Sequence, residues 1–89
     1  MIAVFELTYQ EGWDYYFSKM DKSIQQQIWK KIQQLETLQK SSRHLHHGLP
    51  FFVIETGQYR ICYKETEQNR KIMFAGNHKQ YEKWYKTIK

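Results

Sequence analysis

The sequence predicts an α+β domain in which an antiparallel sheet packs against an N-terminal helical hairpin, in the order β-α-α-β-β-β-α over residues 1–89. Three observations predict it. Apolar residues alternate from Ile2 to Tyr9 and again from Phe51 to Ala75, but recur at helical spacing from Trp13 to about Lys40 and after His78. Glycine and proline fall at several of the joints between these stretches. The length of 89 residues, with 40% hydrophobic and 26% charged, suits one folded domain and leaves no room for a second.

Ile2 to Tyr9 reads as a strand with Ala3, Phe5, Leu7 and Tyr9 on one face. Trp13, Tyr16, Phe17 and Met20 stand at i, i+3, i+4 and i+7, the stripe of a short amphipathic helix. Asp21-Lys22-Ser23 interrupts that helix, and Ser23 with Gln26 has the spacing of a capping box. Ile24, Ile28, Ile32, Leu35 and Leu38 then continue at helical spacing, with Gln25, Gln26, Gln33 and Gln34 on the solvated side. The two helices are expected to form an antiparallel hairpin on one face of the sheet. Ser41 to Leu49, polar and rich in histidine, reads as a loop closed by Gly48 and the only proline, Pro50.

Phe51–Thr56 and Tyr59–Glu65 are β-like runs joined by Gly57-Gln58, the pattern of a two-residue type II′ hairpin. Such a turn fixes the register. Thr56 lies opposite Tyr59, Glu55 opposite Arg60, Ile54 opposite Ile61, Val53 opposite Cys62 and Phe52 opposite Tyr63. Phe52, Ile54, Tyr59, Ile61 and Tyr63 therefore share the face expected under the helices, while Glu55, Arg60 and Lys64 share an outer, helix-free face. Thr66 to Asn69 is a polar turn, Arg70 to Ala75 is a strand with Ile72 and Phe74 inward, and Gly76-Asn77 ends it. His78 to Lys89 places Tyr81, Trp84, Tyr85 and Ile88 at helical spacing among positive charges, which reads as a short basic amphipathic helix. Trp84 and Tyr85 are expected to be exposed there.

The charge is one-sided. Residues 1–42 are neutral, with five basic and five acidic side chains, and the whole net charge of +5 lies in residues 43–89 with all four histidines. A field of this kind favours a polyanion or an acidic protein as partner, although a solvated basic surface has the same signature. Cys62 is the only cysteine, which excludes a disulfide within the chain and a thiolate zinc site. No run approaches the roughly 18 apolar residues of a membrane span. The expectation is a soluble protein of a reducing cytoplasm, without a membrane partner.

No phosphate-cradling glycine loop, Ser-His-Asp order or carboxylate pair with metal-nuclease spacing is present. Three features remain. Arg60 on a rigid strand can hold a phosphate bidentately and stabilise it as it becomes five-coordinate. Glu55 opposite can act as a base, or can simply neutralise Arg60 as a cross-strand ion pair. His78 and Tyr81, at i and i+3, suit acid–base work on a phosphodiester; alternatively His78 caps the turn and Tyr81 packs as core. His44, His46 and His47 cluster without a nearby carboxylate, and a partner-contacting loop suits them better than a metal site.

The run Glu55 to Glu65 (ETGQYRICYKE) and the run Phe74 to Trp84 (FAGNHKQYEKW), in this order of elements, resemble the RelE/ParE toxin superfamily of toxin–antitoxin systems. Gly57-Gln58-Tyr59-Arg60-Ile61-Cys62-Tyr63 is similar to the family's strand hairpin, and Gly76-Asn77-His78-Lys79-Gln80-Tyr81 to the closing G-x-H motif of HigB-like members. The resemblance spans essentially the whole chain. It implies an mRNA endoribonuclease, usually acting on the ribosome, held in check by a small antitoxin, which for a basic chain is expected to be acidic or amphipathic and to dock near Trp84 and Tyr85. By position, Arg60 matches the arginine that contacts the scissile phosphate, His78 matches the arginine or histidine of the closing motif, and Tyr81 matches its aromatic. Many ribosome-dependent members carry basic residues on the strand before the turn, where this chain has Val53 and Glu55.

The implied mechanism is attack of the ribose 2′-hydroxyl on its neighbouring phosphate, with no metal or cofactor. Glu55 or His78 assists removal of the proton, Arg60 stabilises the transition state, and His78 or Tyr81 aids the leaving oxygen. Arg43, Lys64, Lys71, Lys79 and Lys83 are expected to hold the RNA backbone. The alternatives are a ParE-like toxin that binds DNA gyrase, and a non-catalytic module that binds RNA or a partner.

Overall fold

A computed structural model describes residues 4–37 and 51–88. The expectations for Ala3, Leu38, Arg43, His44, His46, His47 and the loop around Gly48 and Pro50 fall outside these described residues. The elements are strand β1 (Glu6–Tyr9), a one-turn 3-10 helix (Phe17–Lys19), helix α1 (Lys22–Gln34), strands β2 (Phe52–Thr56), β3 (Tyr59–Glu65) and β4 (Asn69–Asn77), and helix α2 (His78–Ile88). They form an α+β arrangement around a four-stranded sheet of order β1-β4-β3-β2.

The hairpin register is the one the sequence predicts, pair for pair from Phe52↔Tyr63 to Thr56↔Tyr59. Gly57, at φ +61°, supplies the left-handed conformation that a primed turn requires at its first central position.

Two expectations fail together. The first helix does not form. Residues 11–16 are a run of turns leading into the single 3-10 turn, held mostly by i→i−3 bonds such as Trp13 N–H to Gln10 C=O and Met20 N–H to Phe17 C=O. A stretch this short cannot repay helix nucleation, and its aromatics are drawn to different places. Trp13, Phe17 and Met20 pack with α1, whereas Tyr16 packs against Phe74 on the other side of the sheet. The sheet is also mixed rather than antiparallel, because β1 runs parallel to β4. These are one correction. Two helical passes would return the chain to the end where β1 finished and set β1 antiparallel to β4. One pass by α1 sets β2 parallel to β1, and the two hairpins that follow leave β4 parallel as well.

Helix α1 starts at Lys22, so the expected Ser23–Gln26 box is not its cap. Asp21 occupies the N-cap position without a side-chain bond, and Gln25 Nε2 donates to Phe17 C=O at 2.9 Å instead. Of the predicted stripe, Ile28, Ile32 and Leu35 are fully buried against Ile54, Ile61, Tyr63, Ile72 and Ala75, and Ile24 is partly buried. The helix ends at Gln34, with Leu35 as its C-cap, instead of running on to about Lys40.

The opposite face of the sheet is not free. Phe51, Val53, Cys62 and Phe74 form a second core under α2, closed by Tyr81 and the partly buried Trp84 and Tyr85. Trp84 sits 5.0 Å from Phe74, ring to ring, so it and Tyr85 are packing residues rather than an exposed docking patch. Among the described residues, the exposed large apolar side chains are Val4, Tyr9, Tyr15 and Trp29.

Phe74 reaches this second core because β4 carries a bulge. Its partners step from Cys62↔Phe74 to Tyr63↔Ile72, leaving Met73 as an extra residue in the ladder. Ile72 and Phe74, expected on one face, consequently point to opposite ones. Strand β4 also runs on through Gly76 to Asn77 instead of ending at Ala75.

Arg70 is the one buried charged residue among those described. Its Nε lies 2.9 Å from Glu65 Oε1, its Nη1 donates to Leu35 C=O at 2.8 Å, and its guanidinium carbon lies 3.7 Å from the centre of the Phe5 ring. One side chain therefore ties the end of α1, the entry to β1 and the β3–β4 turn together.

Candidate functional site

The β2–β3 turn and the β4–α2 junction meet at one end of the sheet. There Gly57, Gln58, Tyr59, Arg60 and Glu55 face Asn77, His78 and Lys79 across an open cleft of about 550 Å³. The hairpin register puts Glu55 opposite Arg60, and their side chains pair at 3.3 Å between Oε2 and Nε. Glu55 is half exposed and Arg60 about one-fifth exposed. On its other side the Arg60 guanidinium lies over the Tyr81 ring, 5.0 Å from the centroid.

The junction is built by Gly76, Asn77 and Gln80. Gly76 is the β4 partner of Arg60. Asn77 Oδ1 accepts from the Gln80 backbone N–H at 2.8 Å, and Gln80 Oε1 accepts from the Asn77 N–H at 2.9 Å. This reciprocal pair is a capping box. It satisfies two of the donors that a helix start leaves over and sets His78 and Lys79 in the first turn, where the helix dipole favours an anion. A side chain at Gly76 would force its neighbours to shift, because a Cβ there would lie 2.6 Å from Phe74 Cζ and 2.8 Å from Gln80 Oε1. Gly76→Ala is accordingly expected to lower stability by about 1–3 kcal/mol as α2 is pushed off the sheet, read as a lower midpoint in urea denaturation. A midpoint equal to the parent's would show that the junction gives freely.

The remaining candidates divide. His78 is exposed on the cleft rim with Nε2 3.7 Å from Glu82 Oε1, one turn on. Lys79 and Lys83 are exposed on α2. Lys64 and Lys71 are cross-strand partners, which sets two positive charges side by side on the sheet. By strand rise, Lys64 stands about 13 Å along β3 from Arg60. Tyr81 is fully buried and does not line the cleft. Burial pushes its phenol above the ordinary tyrosine range, against the opposing pull of Arg60, so the group stays protonated. Burial likewise raises the Cys62 thiol, with Arg60 again opposing, and leaves it inert as a nucleophile.

The expectation that Arg60 stands on a helix-free face is therefore corrected: α2 covers that face, and Arg60 is held at its margin. The Asn77–Gln80 box was missed in the sequence, although N-x-x-Q before an apolar helical stripe is its signature. Among the described residues no three of His, Cys, Asp and Glu gather closely enough to hold a metal ion. No described helix is long and apolar enough to cross a membrane.

No known protein-family model matches the chain, and no curated protein sequence matches it significantly.

Proposed function

We propose that this protein is a metal-independent mRNA endoribonuclease of the RelE/ParE toxin type, acting in the cytoplasm on ribosome-bound message and restrained by an antitoxin protein. The observation that carries the reading is the convergence of Arg60, Glu55, His78 and Lys79 on one open cleft, from two motifs that are 18 residues apart in sequence counted from Arg60 to His78. RNA brings its own nucleophile, so the cleft has three tasks. Glu55 accepts the proton of the 2′-hydroxyl as its oxygen bonds to phosphorus. Arg60 and Lys79 stabilise the charge that accumulates on the phosphoryl oxygens, and His78 delivers a proton to the 5′-oxygen as its bond to phosphorus breaks. The products are a 2′,3′-cyclic phosphate and a 5′-hydroxyl. Lys64, Lys71 and Lys83 extend the basic surface along the sheet and α2, where a backbone can follow. The Glu55–Arg60 ion pair favours a second reading, a module of the same shape that binds RNA or a partner such as gyrase without cutting.

Inducing the chain alone is expected to stop growth, with primer extension revealing new 5′ ends within messages. Association of the purified protein with RNA is expected to weaken steeply as salt rises from dilute to physiological, by roughly tenfold or more, through counterion release. Salt-dependent association without new 5′ ends would favour the binding module. Normal growth at full soluble expression, with association indifferent to salt, would remove both readings.

A further inference from the structure

We infer that Tyr81 is a positioning residue for Arg60, acting through the face of its ring rather than through its hydroxyl. The inference rests on the cleft reading above and assigns Tyr81 a role different from the proton donor that the closing motif suggests. The ring lies under the guanidinium at 5.0 Å, while Glu55 holds the Nε edge at 3.3 Å. A guanidinium gripped on one face and one edge keeps its remaining N–H groups directed outward, which is the geometry a bidentate contact with phosphate requires. The ring itself cannot tilt away. Phe74 packs against it at 6.0 Å edge-on, Trp84 at 6.0 Å and Tyr85 at 6.1 Å nearly parallel. Its complete burial also keeps the side chain out of reach of a ligand in the cleft.

The arrangement makes a division of labour that an ordinary core tyrosine lacks. The hydroxyl is dispensable and the π-face is not. Arg60 without the ring gains freedom and loses the orientation that makes binding energy appear in the transition state.

Four variants test this: Tyr81→Phe, Tyr81→Leu, Arg60→Ala, and the double variant Tyr81→Leu/Arg60→Ala. Tyr81→Phe is expected to cut RNA within about threefold of the parent, and Tyr81→Leu to lose about tenfold or more in kcat with KM little changed. The double variant is expected to be no slower than Arg60→Ala alone, because the ring has no route to the reaction except Arg60. A structural role would instead slow the double variant further. Nuclear magnetic resonance of the Arg60 Nε–Hε group supplies a readout independent of cleavage. A ring-shifted signal in the parent and in Tyr81→Phe, lost in Tyr81→Leu, supports the inference. A tenfold loss of cleavage in folded Tyr81→Phe, or an unshifted Arg60 signal in the parent, overturns it. Should Tyr81→Leu fail to fold, Tyr81→Phe and the parental signal still decide. If the parent does not cut RNA at all, the cleavage reading falls, and the Arg60 signal alone decides whether Tyr81 holds the guanidinium.

Discussion

Arg60→Ala is expected to slow RNA cleavage by at least about a hundredfold while the protein keeps its fold. The two sides of this comparison have different sizes. In the folded protein Arg60 makes one half-exposed ion pair with Glu55 and one contact with the Tyr81 face. Together these stabilise by roughly 1 kcal/mol, or about 4–8 °C of melting temperature for a domain of this size. Loss of a contact made to phosphate as it becomes five-coordinate costs about 3 kcal/mol or more. Melting curves and cleavage rates on the same preparation separate the two. Cleavage at the parental rate would move the chemistry out of this cleft.

The largest loss of stability is expected from Arg70→Ala, about 3–5 kcal/mol in urea unfolding. The guanidinium is fully buried, so its removal opens a cavity beside Phe5 and Tyr63. It also strips a donor from Leu35 C=O at the end of α1 and a counter-charge from Glu65. Arg70→Lys is expected to rescue little, because one ammonium cannot serve both acceptors from opposite edges. Replacing the pair together, as Arg70→Met with Glu65→Leu, is expected to recover a good part of the loss, since no charge is then left behind. If Arg70→Ala unfolds within about 1 kcal/mol of the parent, the three elements it joins are held by other contacts.

What could be read in the sequence follows from how local each determinant is. The β2–β3 register was legible because Gly57 and Gln58 fix it within the turn, and alternation then assigns every neighbour, Glu55 and Arg60 included. The inner stripe of α1 was legible because Ile28, Ile32 and Leu35 all answer to one helical face. The segment from Trp13 to Met20 has the same spacing, but its aromatics serve two cores on opposite sides of the sheet, and periodicity carries no record of that. Nor does alternation reveal where a strand carries an extra residue. Phe74 was therefore assigned to the wrong face, and with it the helix-free face assigned to Arg60. Both halves of the cleft were legible as motif residues, Glu55 and Arg60 in one run and His78 and Lys79 in the other. What sets the second half against the first is the Asn77–Gln80 box and the space over Gly76, which depend on α2 folding back onto β4.

The extra residue in β4 has a consequence for how this gene can change. Ordinarily the loss of one codon inside a central strand is ruinous, since every side chain beyond the gap turns to the wrong face. Met73 is the exception. Its neighbours Ile72 and Phe74 already pair with the consecutive residues Tyr63 and Cys62 and already point to opposite sides. Excising the Met73 codon would join them into a regular ladder with both cores, and the Arg60 cleft beyond them, still in frame.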